Sequence, residues 1–105
     1  TVDDVNAMAA RYIELFSRIY ETIGADVFRF ESRRRKRRPI NMPLVETVVY
    51  LFSRLENIDD KEEFIYRFDG WKRWLDDTKL FKRSVDSSTN VAARREAVES
   101  FIASL

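Results

Sequence analysis

Six consecutive cationic residues are the part of this sequence best suited to chemistry: Arg33, Arg34, Arg35, Lys36, Arg37 and Arg38. Such neighbours repel one another, so the run is expected to lie in water or against an anion rather than in a core. It could neutralise several phosphates, with an affinity that falls steeply as salt is added. The same composition suits a nuclear-localisation signal, an anionic lipid surface, an acidic partner or a merely solvated loop.

Three further arginines are candidates to extend this basic surface. Arg29 lies just before the run, and Arg94 and Arg95 lie on a predicted helix near the C-terminus. Residues 29 to 38 hold seven cations and one acid, a local balance of +6, whereas the formal net charge of the whole chain is +1. The rest of the chain is therefore mildly acidic, and the basic charge is concentrated in one segment.

Catalytic and metal chemistry is restricted by composition. The chain has no Cys and no His, which removes the thiolate nucleophile, the usual neutral-pH base and the commonest metal ligands. Four acidic pairs remain as candidates: Asp3/Asp4, Asp59/Asp60, Glu62/Glu63 and Asp76/Asp77. Adjacent helical residues point about 100° apart, so such pairs are better explained as helix caps and dipole partners. We predict no catalytic residue, no metal site and no cofactor.

An aromatic cluster offers a second route to nucleic-acid binding. Its members are Phe64, Tyr66, Phe68, Trp71 and Trp74, which could stack on unpaired bases. Phe64, Phe68 and Trp71 share one helical face, however, and aromatic side chains bury large apolar areas. We therefore interpret the cluster as core, with only Tyr66 and Trp74 partly exposed.

The element that must position the basic run is the helix that follows it. Pro39 ends the charged segment, Asn41 is the predicted N-cap, and Pro43 falls in the first turn, where its missing N–H is not needed. Ile40 is placed to contact Val45 as a hydrophobic staple. Apolar residues cover more than half the circumference of this helix, which suggests a central helix or one that also faces a partner.

Apolar periodicity predicts four main helices, at residues 2–23, 42–55, 61–76 and 90–104. Gly24 is the expected stop of the first, and Gly70 could kink the third. Residues 25–32 should form a turn that tucks Val27, Phe28 and Phe30 under the basic run. A short helix is predicted after Asp77 or Thr78.

Three sets of residues are predicted to face the core. The first helix is expected to bury Val5, Met8, Ala9, Tyr12, Phe16, Ile19 and Ile23. The short helix is expected to bury Leu80, Phe81 and Val85. The last helix is expected to bury Val91, Val98, Phe101, Ile102 and Leu105.

The predicted fold class is all-α: a compact bundle or orthogonal array of four main helices with one or two short helical turns, in a single domain over residues 1–105. No apolar run approaches the roughly 20 residues that span a bilayer, and no signal-peptide pattern is present, so we expect a cytoplasmic protein without a membrane partner. Because the chain opens on Thr1, we expect it to be a C-terminal part of a larger protein.

Three stretches resemble a known family: FRF at residues 28–30, RRPINMPLVETV at 37–48, and LFKRSVDSSTNVAARREAVESFI at 80–102. They are similar to the C-terminal helical region of GmrSD-type restriction endonuclease subunits. The matching positions are Phe28, Arg29, Arg38, Pro39, Ile40, Asn41, Thr89 and Arg94 or Arg95. The family's ParB-like nuclease and nucleotide-hydrolysing domain, with its DGQQR motif, is absent from these residues. The resemblance thus implies an accessory piece that neither cuts DNA nor hydrolyses nucleotide alone.

Two functions follow as hypotheses. In the first, the chain is a helical accessory domain of a DNA-targeting defence nuclease and contacts phosphates through Arg33 to Arg38. In the second, it is an interaction or scaffold domain that docks through helix 42–55 onto the missing N-terminal nuclease domain or a second copy as a homo-oligomer. The two differ in whether removal of the six cations abolishes partner binding.

Overall fold

Four α-helices build the chain in the computed structural model, which describes residues 1–82 and 86–105. They are α1 (Val2–Thr22), α2 (Met42–Arg54), α3 (Lys61–Asp77) and α4 (Ser88–Ser104). The described residues contain no β-strand, only one isolated bridge within the basic run. The all-α prediction is therefore confirmed.

Each helix begins at a polar residue whose side chain accepts a hydrogen bond from a backbone N–H in the first turn. These N-caps are Thr1, Asn41, Asp60 and Ser87. The Asn41 side chain accepts from the N–H of Leu44 at 3.0 Å, and Pro43 lies in the first turn of α2 as predicted. Such capping satisfies N–H groups that have no partner within the helix.

The core is one hydrophobic cluster, with α2 at its centre. Helix α2 packs against both α1 and α4. It buries Leu44, Thr47, Val48, Leu51 and Phe52. Its wide apolar surface is thus covered by its own neighbours, which agrees with the interpretation of α2 as a central helix.

The prediction for α1 was correct only at its C-terminal end. Ile19 is fully buried and Phe16 and Ile23 are partly buried, but Val5 and Tyr12 are more than half exposed. Residues 1–14 are all exposed, Met8 and Ala9 included. No described element covers this half of the helix, so its apolar stripe continues beyond the core into solvent.

The segment after α3 also differs from its prediction. The described residues 78–82 form bends and turns rather than a short helix, although Phe81 is buried and Leu80 packs against the core. Val85 lies outside the described residues. Helix α4 buries Val98 and Phe101, whereas Leu105, which follows it, is about half exposed. Helix α3 runs through Gly70 without interruption.

Residues 24–32 connect α1 to the basic run and anchor the start of that run in the core. Gly24, with φ +117°, follows the end of α1 in a conformation that side-chain-bearing residues rarely adopt. Val27, Phe28 and Phe30 are buried, as predicted. The backbone carbonyl of Phe28 accepts a hydrogen bond from the N–H of Asn41 at 3.0 Å, so the chain leaves the core and returns to it at nearly the same place.

Candidate nucleic-acid interface

The basic run forms a tight hairpin, which we call the basic hairpin and define as residues 33–38. The backbone N–H of Arg33 donates to the carbonyl of Lys36 at 3.2 Å, and the N–H of Lys36 donates to the carbonyl of Arg33 at 2.9 Å. Between them, Arg34 and Arg35 have φ values of 52° and 62°. Two positive φ values in a two-residue loop are the pattern of a type I′ turn.

This turn is made of unfavourable residues. Type I′ turns strongly prefer Asn-Gly or a similar pair, because left-handed backbone costs an ordinary L-residue about 1–2 kcal/mol. Arg34 and Arg35 have no such preference, and both are exposed. Surrounding contacts must therefore hold the turn in place, and backbone strain of this kind often lies at functional sites.

The strongest of these contacts is an ion pair between the hairpin and α3. Arg38 donates from Nη1 to Asp76 Oδ2 at 2.6 Å and from Nη2 to Oδ1 at 2.9 Å. Arg33, at the other end of the hairpin, donates from Nη2 to the same Oδ2 at 3.1 Å. The Arg38 guanidinium also lies over the ring of Phe30, 5.3 Å from its centroid. One carboxylate thus joins both ends of the hairpin to the body.

A second acid, Asp26, contacts the C-terminal arm of the hairpin. Arg37 donates from Nε to Asp26 Oδ1 at 3.0 Å and pairs with it through Nη2 as well. Lys72 on α3 donates to the Asp26 backbone carbonyl at 2.9 Å, and Arg29 donates from Nη1 to the Arg38 carbonyl at 2.7 Å. Arg29 is therefore used inside the structure, where it supports the hairpin rather than extending its surface.

The two acids are held ionised by these arginines. Burial alone would raise the pKa of Asp76, but its hydrogen bonds and charge interactions with Arg38 and Arg33 outweigh that effect and lower it. The pKa of Asp26 is lowered mainly by its hydrogen bond from Arg37. In Lys72, partial burial lowers the pKa of the ammonium group. The two carboxylates that anchor the hairpin are thus ionised at neutral pH.

The six cations divide into three roles. Arg34, Arg35 and Lys36 are exposed and form no ion pair with any residue in the described part of the chain. The side chains of Arg33 and Arg37 are paired, yet about 60% exposed, so each still presents part of its guanidinium to solvent. Arg38 is the most buried of the six and acts as the anchor.

The structure separates Arg94 from Arg95. Arg94 is buried, donates from Nη1 to the Leu80 carbonyl at 2.9 Å, and lies 5.7 Å from the ring centroid of Phe81. Arg95 is exposed and lies over Tyr50. Only Arg95 could therefore contribute to an exposed basic face. The spacing of Arg94 from Val91 and Val98, at three and four residues, was the signal that it belonged to the buried stripe.

The acidic pairs have the roles expected of helix caps, with one exception. Asp4 forms a capping box with Thr1, Asp60 caps α3, and Glu62 and Glu63 lie in the first turn of α3. Asp76 instead lies near the C-terminal end of α3, where the helix dipole disfavours an acid, and its role is the tertiary ion pair. The described residues contain no group of three acids that could hold a metal ion.

The aromatic cluster is mostly core, as predicted. Phe64 and Phe68 are buried, and the half-buried Trp71 stacks on Phe101 with ring centroids 4.7 Å apart. Tyr66 and Trp74 are the two exposed members. They are eight residues apart on α3, a rise of about 12 Å along the helix, so the cluster offers two separate exposed rings and no continuous row of stacking surfaces.

No family model, curated protein or solved structure matches the chain. The similarity to restriction endonuclease subunits therefore stays a prediction. Among the described residues, none of the helices combines the length and apolarity needed to cross a bilayer.

Proposed function

We propose that this chain is a non-catalytic helical module that binds the phosphate backbone of nucleic acid through the basic hairpin. In this proposal it serves as an accessory part of a DNA-targeting restriction or defence nuclease. The observation that carries the binding role is the strained turn, in which Arg34, Arg35 and Lys36 are exposed without an ion-pair partner among the described residues. A loop that served only to keep charge in solvent would not require left-handed arginine backbone, which costs free energy.

The anchoring of the hairpin supports this role. Because Asp76 and Asp26 fix both of its ends, the cations at its tip are already held close together before a ligand arrives. A preorganised site loses less conformational entropy on binding than a flexible tail of the same charge. The hairpin is thus better suited to phosphate contact than its composition alone would make it.

The charge distribution limits the size of the interface. Outside residues 29–38 the chain is net acidic, so a polyanion is attracted by the hairpin and repelled by most of the remaining surface. Three to five phosphate contacts predict a slope of log K against log salt between about −3 and −5. Binding of this kind is weak and sequence-independent, which suits a module that assists another domain.

The nuclease context rests on the family resemblance of the sequence. The DGQQR motif that accompanies cleavage in that family does not occur in these 105 residues. In the proposal, nucleotide hydrolysis and DNA cleavage therefore belong to a domain outside this chain, and the helical module adds affinity through effective concentration.

The alternative function, docking through helix 42–55, has less structural support. The apolar residues of α2 are largely buried against α1 and α4, and Met42 is its only large apolar side chain that is more than half exposed among the described residues. The apolar width that motivated docking through this helix is explained by its central position.

Fluorescence anisotropy with a labelled DNA duplex tests the proposal. We expect binding at low salt that weakens steeply between about 50 mM and 200 mM salt. Replacing Arg34, Arg35 and Lys36 by Ser should abolish most of it. The matched control replaces three exposed cations elsewhere, Arg11, Lys79 and Lys82, by Ser.

Two results would contradict the proposal. One is the absence of duplex binding by the native chain at low salt. The other is an equal loss of affinity in the control, which would mean that overall charge, and not the hairpin, governs binding.

A further inference from the structure

The exposed half of α1 carries an apolar stripe that no element in the described part of the chain covers. Val2 and Val5 are 75% and 65% exposed, and Tyr12 is 52% exposed. Beside them, Met8 and Ile13 are 60% and 68% exposed. Contiguous apolar surface of this kind, concentrated on one helix, marks an interaction site more often than scattered exposed residues do.

The stripe has the spacing of a coiled-coil seam. Its residues recur at alternating intervals of three and four: Val2, Val5, Ala9, Tyr12, Phe16, Ile19 and Ile23. This is the a and d pattern of a heptad repeat sustained along the whole helix. Ile19 packs in the core at one end, while the four residues from Val2 to Tyr12 face solvent at the other. The helix is therefore patterned for a helical partner over a stretch where the described residues supply none.

We propose that the partner is a second copy of this chain, whose α1 packs antiparallel against the first. In an antiparallel pair, a positions face d positions of the partner helix. A two-fold axis at the level of Ala7 places Val2 opposite the second copy's Tyr12, and Val5 opposite its Ala9. Small Ala9 facing larger Val5 lets the two helices approach closely, and the pattern closes on itself as a symmetric dimer requires.

The length of the exposed stretch fits this arrangement. Residues 1–14 are exposed, and the body of the chain begins to pack on α1 at Leu15. With the axis at Ala7, residues 1–13 of each copy overlap, so the two bodies lie beyond opposite ends of the paired segment. A parallel pair would bring both bodies to the same end and place the two helix N-termini side by side.

Charge favours the same orientation. The exposed stretch has acids at its start, Asp3 and Asp4, and a cation, Arg11, near its other end, while the acid Glu14 lies just beyond the paired residues 1–13. Antiparallel pairing places the acids of one copy at the level of Arg11 in the other, whereas parallel pairing places acids beside acids. The residues that flank the seam, Asn6 and Met8 among them, are uncharged, so they add no repulsion.

The area that dimerisation would bury determines the expected affinity of the dimer. Covering the five exposed apolar side chains would remove on the order of 500 Å² per copy, or about 1,000 Å² in total, which is near the lower limit for a specific interface. We therefore expect a reversible dimer with a dissociation constant on the order of 10–100 µM. Such a dimer leaves the basic hairpin free, and it stands independently of the function proposed above.

Sedimentation equilibrium of the intact chain tests the inference, over concentrations up to about 200 µM to cover the expected range. We expect the average mass to rise from monomer towards dimer. Val5→Glu, at an exposed position, should shift the dissociation constant upwards at least tenfold. Ala7→Glu adds the same charge on the opposite face of the helix and is the matched control, which should dimerise like the native chain.

Cysteine cross-linking tests the orientation, because the chain has no natural Cys. In an equal mixture of Val2→Cys and Tyr12→Cys chains, the mixed disulfide should form in preference to either self-linked product. A monomer at every concentration would overturn the inference and leave the stripe to a different protein. A dimer insensitive to Val5→Glu, or preferential self-linking through Val2→Cys, would also overturn it.

Discussion

Arg38 and Asp76 form a two-pronged salt bridge, with N–O distances of 2.6 and 2.9 Å, between the end of the basic hairpin and the last turn of α3. The two residues are 38 positions apart in the sequence. The Asp76 carboxylate is almost fully buried, and it also accepts a hydrogen bond from Arg33. Because a bidentate guanidinium–carboxylate pair has a fixed geometry, this contact sets both the position and the orientation of the hairpin.

Asp76→Asn should destabilise the chain. The change removes the negative charge opposite two arginines and leaves the partly buried Arg38 without its partner. We expect a loss of about 2 kcal/mol, below the roughly 3–5 kcal/mol of a fully buried pair because Arg38 keeps some exposure. Urea unfolding followed by Trp fluorescence measures the loss. Asp77→Asn, at the adjacent exposed acid, is the control and should change stability by less than about 0.5 kcal/mol. Equal effects of the two substitutions would show that Asp76 is not an anchor.

Stability should fall when the chain is acidified. The pKa of Asp76 is lowered in the folded state from an ordinary value of 3.8, so the unfolded chain binds its proton more readily. Its contribution is therefore complete above the unfolded pKa, near pH 4, and is lost as pH falls through the lower folded pKa. The lowered pKa values of Asp26 and Glu99 act in the same direction. The free energy of unfolding, measured at a series of pH values below about 5, should fall less steeply in Asp76→Asn. If the free energy of unfolding fell equally steeply with pH in the native chain and in Asp76→Asn, the contribution assigned to Asp76 would be contradicted.

Arg34→Asn combined with Arg35→Gly should separate stability from binding. Asn-Gly is the preferred pair of a type I′ turn, so relief of the two left-handed arginines should stabilise the chain by about 1–2 kcal/mol. The same change removes two exposed cations, and the salt slope of duplex binding should become shallower by about 2. Thermal unfolding and anisotropy measure the two effects. A variant that is less stable, or that binds DNA as the native chain does, would contradict the account of the strained turn.

The two glycines should respond in opposite directions to Ala. In α3, a Cβ on Gly70 would meet only the far end of the Arg73 side chain, at 3.9 Å, so Gly70→Ala should stabilise the chain by about 0.5–1 kcal/mol through helix propensity. Gly24→Ala should destabilise it by about 1 kcal/mol or more, since its φ of +117° is unfavourable for any side chain. Urea midpoints compare the two variants under identical conditions. A gain at Gly24 would mean that the turn after α1 relaxes to a different conformation.

Much of the fold was predictable because it depends on local sequence. Helix limits follow from caps such as Asn41 and Asp60, which act on N–H groups within three residues of themselves. The burial of α2 follows from its apolar periodicity, which is a property of a single segment. The exposure of the basic run follows from the mutual repulsion of neighbouring charges.

The predictions that were wrong concern features formed by segments that are distant in the sequence. Periodicity correctly located the apolar face of α1, but it carries no information on whether another element reaches Val5 or Tyr12 to cover it. Its charge made Arg94 a candidate to extend the basic surface, whereas the structure buries it on α4 with its guanidinium donating to the Leu80 carbonyl. A charged residue can occupy a buried stripe when a hydrogen-bond partner from another segment satisfies it.

By itself, therefore, the sequence determined an all-α chain of four capped helices with one concentrated block of positive charge. Tertiary structure alone decided how that block is used, by bringing Asp76 and Asp26 against three of its arginines and leaving the turn between them exposed. The physical reason is that charge and helix propensity are properties of single residues and their near neighbours in sequence. The ion pair that a given cation forms depends instead on which acid the packing of the core brings close to it.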